Sequence, residues 1–473
     1  MIKISHIQKV LTRLTSLSFK TKSTSGYELL NLEGRPLVEI KHDQEGNNSQ
    51  ETVSGASNEA TQTWANGLRG LAAFLVMIHH SIAAFNLEAT VALKDPDGTV
   101  HFWQWPILRA AISSDFLVQV FFVLSGYVLS YRPLYRLSKR PQKVESVHSS
   151  LASACLRRIF RLLPPPVTAV MISHIILLGG GFDMARAKEV CSSWTKDTVP
   201  RWITSNWREQ TLEALKSMVA IWYEERTKSE YDAVLWTMPE ELRGSMYIYL
   251  FLLATSSLKR RFRVILALAL ALVNLLMKKL SILPFISGIF MAELHISQSE
   301  RRGSPINRIL VYLGRLAIFI TLMIGLFFGS IPGYPTTEMK STAWSSAMFR
   351  VMSRLYSQDE PQVKALYTLM GSTLAVFAIS QWSCAKKLLS TRSLQFLGRI
   401  SFSLYVIHVP LLLSGGISLV WNFRHSGVSN TLSVFLMLPF WIGTVIIVSL
   451  IMTKYIDEKA VTFSHTLERY WRV

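Results

Sequence analysis

Charge is scarce in this sequence. Only 17% of the 473 residues are Asp, Glu, Lys or Arg, half are hydrophobic, and the mean hydropathy is positive, a balance outside the ordinary soluble range. Acids are the rarer sign, 31 against 50 basic residues, leaving a formal charge of +19. That excess does not point to nucleic acid, because Lys and Arg stand in short runs beside apolar windows rather than along one soluble face. Cysteine is nearly absent. Cys155, Cys191 and Cys384 lie far apart with no paired spacing, which argues against a disulfide framework, a zinc or other metal site and a thiol nucleophile. The first 60 residues lack the continuous apolar core of a cleavable signal peptide. Segments such as "HDQEGNNSQETVSGASNE" carry too little apolar surface to offset chain entropy, so residues 1–62 read as a flexible cytosolic tail without chemistry. No repeat of fixed period is evident.

Long apolar runs are what the chain holds instead. They fall near residues 66–86, 110–131, 165–181, 244–258, 262–277, 281–294, 309–331, 363–382, 396–420 and 431–453, each of a length suited to crossing or nearly crossing a bilayer. The expected fold is therefore all-α, a polytopic membrane protein with about ten transmembrane helices. The stretch "MKKLSILPF" between the fifth and sixth windows reads as a tight turn or as a break within one long bent segment. Basic loops follow the second, fourth, sixth and eighth windows: "YRPLYRLSKRPQK" with "RRIFR", "KRRFR", "RRGSPINR" and "KKLLSTR". Lys278 and Lys279 are the clearest exception on the other side. By the positive-inside rule both termini are cytosolic, with a transmembrane domain over 63–455 and a second cytosolic tail over 456–473, in an endomembrane or the plasma membrane. Two long loops then lie on the lumenal side. Residues 182–238 hold Trp194, Trp202, Trp207 and Trp222 among charges, a pattern that fits an aromatic belt, helices at the headgroup boundary or a cap over a cavity. Residues 332–362, opened by "IPGYP", form a turn-rich loop.

Polar groups at membrane depth are costly and face a protein interior or a wet cavity. In "RGLAAFLVMIHHS", Arg69 and His80 are eleven residues apart, about three helical turns, so they share one stripe with His80 roughly 16 Å deeper and His79 about 80° away. The plainer reading makes Arg69 a positive-inside anchor and His80 an interhelical hydrogen-bonding group. "LVQVFFVLSGYVLS" contains Ser125 and Gly126, a pair suited to close helix packing. "CLRRIFRLLPPP" sets Arg157, Arg158 and Arg161 ahead of a proline run at a cytosolic boundary, where they satisfy topology and also offer forked donors for phosphate. "LWTMPEELRGSMYIY" carries Glu240, Glu241 and Arg243, acids that complement a helix N-terminus after Pro239. "LGRISFSLYVIHVP" again places an arginine, Arg399, before a buried histidine, His408.

Taken together these stretches resemble the acyltransferase 3 family of membrane acyltransferases, and its fungal-looking branch in particular. "FFVLSGYVLS", "RRIFRLLPP", "LWTMPEELRGS" and "SFSLYVIHVPLL" follow the Arg69 and His80 segment in the family's order, over residues 64 to about 455. The resemblance implies a ten-helix integral membrane enzyme that moves an acyl group, commonly acetyl, from a coenzyme A thioester to a hydroxyl. Family members often carry an acid before the FFVLSG stretch. Gln119 stands there in this chain, so no role passes to an acid at that position.

Acyl transfer to an alcohol needs a base, charge stabilisation and an anion site for the donor. His80 is the expected base, with Glu241 orienting it or sharing its proton and His408 as a second candidate. Arg69 is expected to contact the donor or stabilise developing negative charge, and Arg157, Arg158 and Arg161 to meet the coenzyme A phosphates. Direct transfer and an acyl-histidine relay both fit. The expected partners are the bilayer, an acyl-CoA co-substrate with no tightly bound cofactor, and a natural-product alcohol as acceptor, with a surface glycan or lipid as the alternative. A metabolite transporter is the rival from another class, since buried His and Arg also suit transport.

Overall fold

The computed structural model describes residues 49–87, 90, 101–139, 142, 144–186, 191–204, 206–222, 230–300, 308–332 and 343–471. Most of the expected N-terminal tail and parts of both long loops lie outside these residues. In lipid every backbone amide and carbonyl must be satisfied within its own segment, and among the described residues every regular element is helical. The first four main helices are α1 (Ser49–Ala83), α2 (Ser114–Lys139), α3 (Val144–Leu162) and α4 (Pro164–Leu178). Three short ones follow within the first long loop: α5 (Asp183–Arg186), α6 (Ser193–Thr198) and α7 (Trp207–Ala220). Next come α8 (Thr237–Thr255), α9 (Arg260–Leu276), α10 (Leu283–Glu300), α11 (Arg308–Gly329), α12 (Ala343–Leu355) and α13 (Glu360–Gln381). The chain closes with α14 (Ser383–Leu389), α15 (Arg392–Leu411), α16 (Ile417–His425), α17 (Asn430–Met452) and α18 (Glu458–Trp471).

All ten apolar windows fall on helices, and seven described segments are long and apolar enough to cross a membrane. The three windows outside that set have physical reasons. Helix α1 carries Arg69, His79 and His80, α8 opens on Glu240, Glu241 and Arg243, and α9 has 17 residues beginning with two arginines. The "MKKLSILPF" stretch is a turn. Lys278 takes φ of 58° there, a 3-10 turn follows over Leu280–Ile282, and α9 packs against α10.

Two segments run longer than their apolar windows. Helices α3 and α4 join through Leu163, with Pro164 at the first position of α4, into a 35-residue span over Val144–Leu178. Arg157, Arg158 and Arg161 stand on the last turns of amphipathic α3, which continues the helical path ahead of the proline run. Helix α3 lies antiparallel to α8, with His148 Nε2 2.6 Å from Ser256 Oγ and Arg158 Nε donating to Ser245 Oγ at 3.1 Å. The second long segment joins α17 to α18 through a π-helical turn, Thr453–Asp457. Residues expected as a C-terminal tail are thus helical to Trp471, and α18 packs on α3 through Arg157 to Glu468 at 2.5 Å and Phe160 against Phe463.

Close backbone approach sets the helix register around the polar groups. A Cβ on Gly70 would lie 2.3 Å from the amide nitrogen of Gly398, so α1 and α15 meet with no side chain between them. A Cβ on Gly288 would come within 2.3 Å of the Tyr127 nitrogen, which binds α10 to α2 beside Gly126. Such contacts hold membrane helices together where burial from water cannot.

Candidate active site

The stripe shared by Arg69 and His80 faces α15 along its length. Arg69 Nε donates to Ser401 Oγ at 3.1 Å, and its terminal nitrogen donates to Gly398 O at 3.2 Å and to Asn66 Oδ1 at 3.0 Å. Farther along the same pair of helices, His80 Nδ1 is 2.8 Å from His408 Nε2 and the two rings stack with centroids 5.1 Å apart. His79 points elsewhere, as the 80° offset predicts: its Nδ1–H donates to Ile112 O at 2.6 Å.

The partners of the histidine pair assign its protons. His408 Nδ1 lies 3.1 Å from Leu404 O, and a carbonyl only accepts, so this nitrogen carries the hydrogen. In a neutral ring His408 Nε2 is then an acceptor. His80 Nδ1–H must donate to it, which leaves the lone pair on His80 Nε2. Among the described residues no side chain bonds that nitrogen, and His80 stays partly accessible while His408 is fully buried. A carbonyl, an imidazole and a second imidazole therefore form a line that ends in a base.

Helix α15 is interrupted just beyond His408. Pro410 lacks an amide hydrogen, and a π-helical turn over Leu412–Gly416 absorbs the mismatch. On the other side His80 is roofed by Trp194 of α6, whose ring stacks on it at 5.1 Å and 12°. That roof is tied to the end of α1: Ser192 Oγ donates to Ala83 O at 2.5 Å and Thr195 Oγ1 to Ala84 O at 2.9 Å. Outside the spans, buried Asp232 accepts the Val234 amide at 3.2 Å, and burial pushes its carboxyl well above the usual carboxylate range. It lies within electrostatic reach of Tyr405, one turn before His408 and 6.0 Å from it ring to ring.

A second polar centre surrounds Arg69. Arg158, Arg161, Glu241 and Asp457 all lie within electrostatic reach of its guanidinium. Glu241 Oε1 accepts Ser125 Oγ at 2.5 Å and is ion-paired with Arg158, which also donates to Ser125 Oγ at 3.2 Å. Asp457, turned inward by the second π-helical turn, is 3.9 Å from Arg161 Nε. Three guanidiniums face two carboxylates here, an excess of one positive charge in a mostly buried setting that suits an anion.

These placements revise several expectations. Glu241 does not reach His80, because its carboxylate is held by Arg158 and Ser125. Arg157, Arg158 and Arg161 are not a free phosphate fork: each faces a carboxylate, Glu468, Glu241 and Asp457 respectively. Arg399 pairs with Glu458 at 2.6 Å, away from His408. Asp457 and Asp232 were not singled out in the sequence, and Trp194 was named only among four tryptophans read as an aromatic belt, interfacial helices or a cap over a cavity. Asp457 stands just past the last apolar window, where an acid reads as the start of a tail, and Trp194 is one of four tryptophans in a loop that resembles an aromatic belt.

Comparison with known proteins follows the same stretch of chain. A family model for an acyltransferase domain matches residues 62–454. O-acetyltransferase PaAT-1 of Phomopsis amygdali is 25% identical over 430 residues, covering 85% of this chain and 83% of its own. Acyltransferase clz18 of Cochliobolus lunatus is 24% identical over 357 residues, 70% of this chain and 74% of its own. Acyltransferase R4 of a Phoma species is 24% identical over 362 residues, 68% and 73% respectively. No solved structure matches the chain.

Proposed function

The chain belongs to the membrane acyltransferase family matched over residues 62–454, and from that premise we propose that it moves an acetyl group from acetyl-CoA to a hydroxyl of a small natural product. The observation that carries the reading is the Leu404 to His408 to His80 line, which presents one unprotonated nitrogen beneath the Trp194 roof. The printed name of PaAT-1, an O-acetyltransferase, favours acetyl and oxygen as the group moved and the atom acylated.

His80 Nε2 takes the proton of the acceptor hydroxyl as its oxygen bonds to the thioester carbonyl carbon. The tetrahedral intermediate collapses, the C–S bond breaks, and the proton on His80 passes to the departing thiolate. As His80 becomes an imidazolium, its bond to His408 becomes charge-assisted and stronger. Arg69 serves the donor rather than the reacting carbon. Eleven residues along α1 separate it from His80 by about 16 Å, more than its side chain reaches and close to the span of an extended pantetheine arm. The surplus positive charge shared with Arg158 and Arg161 then meets the anionic part of the donor.

The test is purified protein in lipid nanodiscs given acetyl-CoA and extracts of cells with and without the gene. The reading predicts thiol release dependent on extract, with a product heavier by one acetyl group. Transfer to an insoluble glycan fraction alone would replace the acceptor, and solute uptake into proteoliposomes without thiol release would remove the reading.

A further inference from the structure

Helix α7 has three distinct faces. At about 100° per residue, Gln210, Ala214 and Thr211 form one face, and the first two are buried. Gln210 Nε2 donates to the Tyr231 hydroxyl at 2.8 Å, and Thr211 Oγ1 lies 3.1 Å from His174 Nε2 of α4. Glu209, Glu213 and Lys216 form a second, charged face, with Lys216 paired to Glu213 at 2.7 Å. Leu212, Leu215 and Val219 fall within about 60° of arc between these two, and all three are exposed, Val219 by 63%.

That apolar edge lies on a helix joined to a segment long and apolar enough to cross a membrane. Helix α4 ends the span Val144–Leu178, and its exposed strip of Met171, Ile175 and Leu178 flanks the same seam, His174 to Thr211, that fixes α7. At the start of α7, the Arg208 guanidinium lies over the Trp207 ring at 5.4 Å, with Trp207 itself exposed. Arg208 points along the arc of the apolar edge, where a long cationic side chain covers apolar surface and reaches a phosphate.

We infer that α7 lies in the plane of the bilayer, with Leu212, Leu215 and Val219 seated in the acyl-chain boundary of the leaflet on the side of the His80 and His408 pair. A helix with a narrow apolar edge, a charged face and a Trp–Arg pair at its end fits that position. The occupant is phospholipid: Arg208 meets its phosphate and the charged face stays in water. The roof over His80, which continues from α6 into α7, is thereby fixed to the membrane. This inference does not rest on the proposed chemistry.

The experiment uses the full chain with Cys155→Ala, Cys191→Ala and Cys384→Ser, reconstituted in phosphatidylcholine vesicles, and single cysteines at 212, 215, 219, 213 and 216 carrying a small fluorophore. Lipids bearing a nitroxide high on the acyl chain should quench positions 212, 215 and 219 on the order of threefold more than 213 and 216, and aqueous iodide should show the reverse order. Variants are compared only where gel filtration matches the parent. Equal iodide quenching at all five positions would overturn the inference by placing the edge in water. Protection of 212, 215 and 219 from both quenchers would overturn it in favour of a protein cover.

Discussion

Replacing His408 with alanine separates the role of the second histidine from that of the first. In the wild type His408 Nε2 accepts from His80 Nδ1 at 2.8 Å, and Leu404 O fixes its own proton. Removal leaves His80 free to rotate and to change tautomer, and it deprives the forming imidazolium of a charge-assisted hydrogen bond. Such a bond contributes about 1.5–3 kcal/mol. At about 1.4 kcal/mol per tenfold, kcat should fall by about tenfold to about 150-fold, with KM for acetyl-CoA little changed. Loss of the base itself costs about a hundredfold to ten-thousandfold. Steady-state thiol release from nanodisc-reconstituted protein, normalised to folded protein by gel filtration, measures the difference. His408→Ala at wild-type rate would refute the orienting role. A loss of about a hundredfold or more in His408→Ala, with His80→Ala retaining rate, would transfer the base to His408.

Two further perturbations test the surroundings. Glu241→Gln leaves Arg158 without its carboxylate partner in a site where both side chains are mostly buried, so stability should fall by about 3 kcal/mol, read as a lowered unfolding temperature. Arg158→Met combined with Glu241→Leu should recover most of it without recovering activity. Asp232→Asn keeps the acceptor for the Val234 amide but removes a buried acid. Burial raises the folded-state pKa of Asp232 above its unfolded value, so its stabilising contribution is complete below about pH 3.9 and declines as pH rises beyond it. The variant should therefore gain unfolding temperature over wild type at about pH 7 and lose that gain at about pH 4.

The helical windows were legible because hydropathy over twenty residues is a property of composition alone. So was the alignment of Arg69 with His80, which follows from 3.6 residues per turn and needs no tertiary information. Partners across helices were not. Arg158 and Glu241 are 83 positions apart, and a single sequence carries no sign that α3 would extend the proline-led helix and lie against α8. Asp457 was hidden differently. The π-helical turn that holds Asp457 breaks the 3.6-residue register, and it has no pattern in "TKYIDEK" that distinguishes it from a helix end. His408 was visible as a second candidate base, but not its pairing with His80, which depends on α1 and α15 touching at Gly70 and Gly398.

The most direct test is transfer of radiolabelled acetyl from acetyl-CoA by membranes carrying wild-type protein or His80→Ala at equal protein level. The account predicts a loss of about a hundredfold or more in the variant, counted per folded protein by gel filtration. Retention of half the wild-type transfer would contradict it, because no lone pair on His80 Nε2 would then be needed.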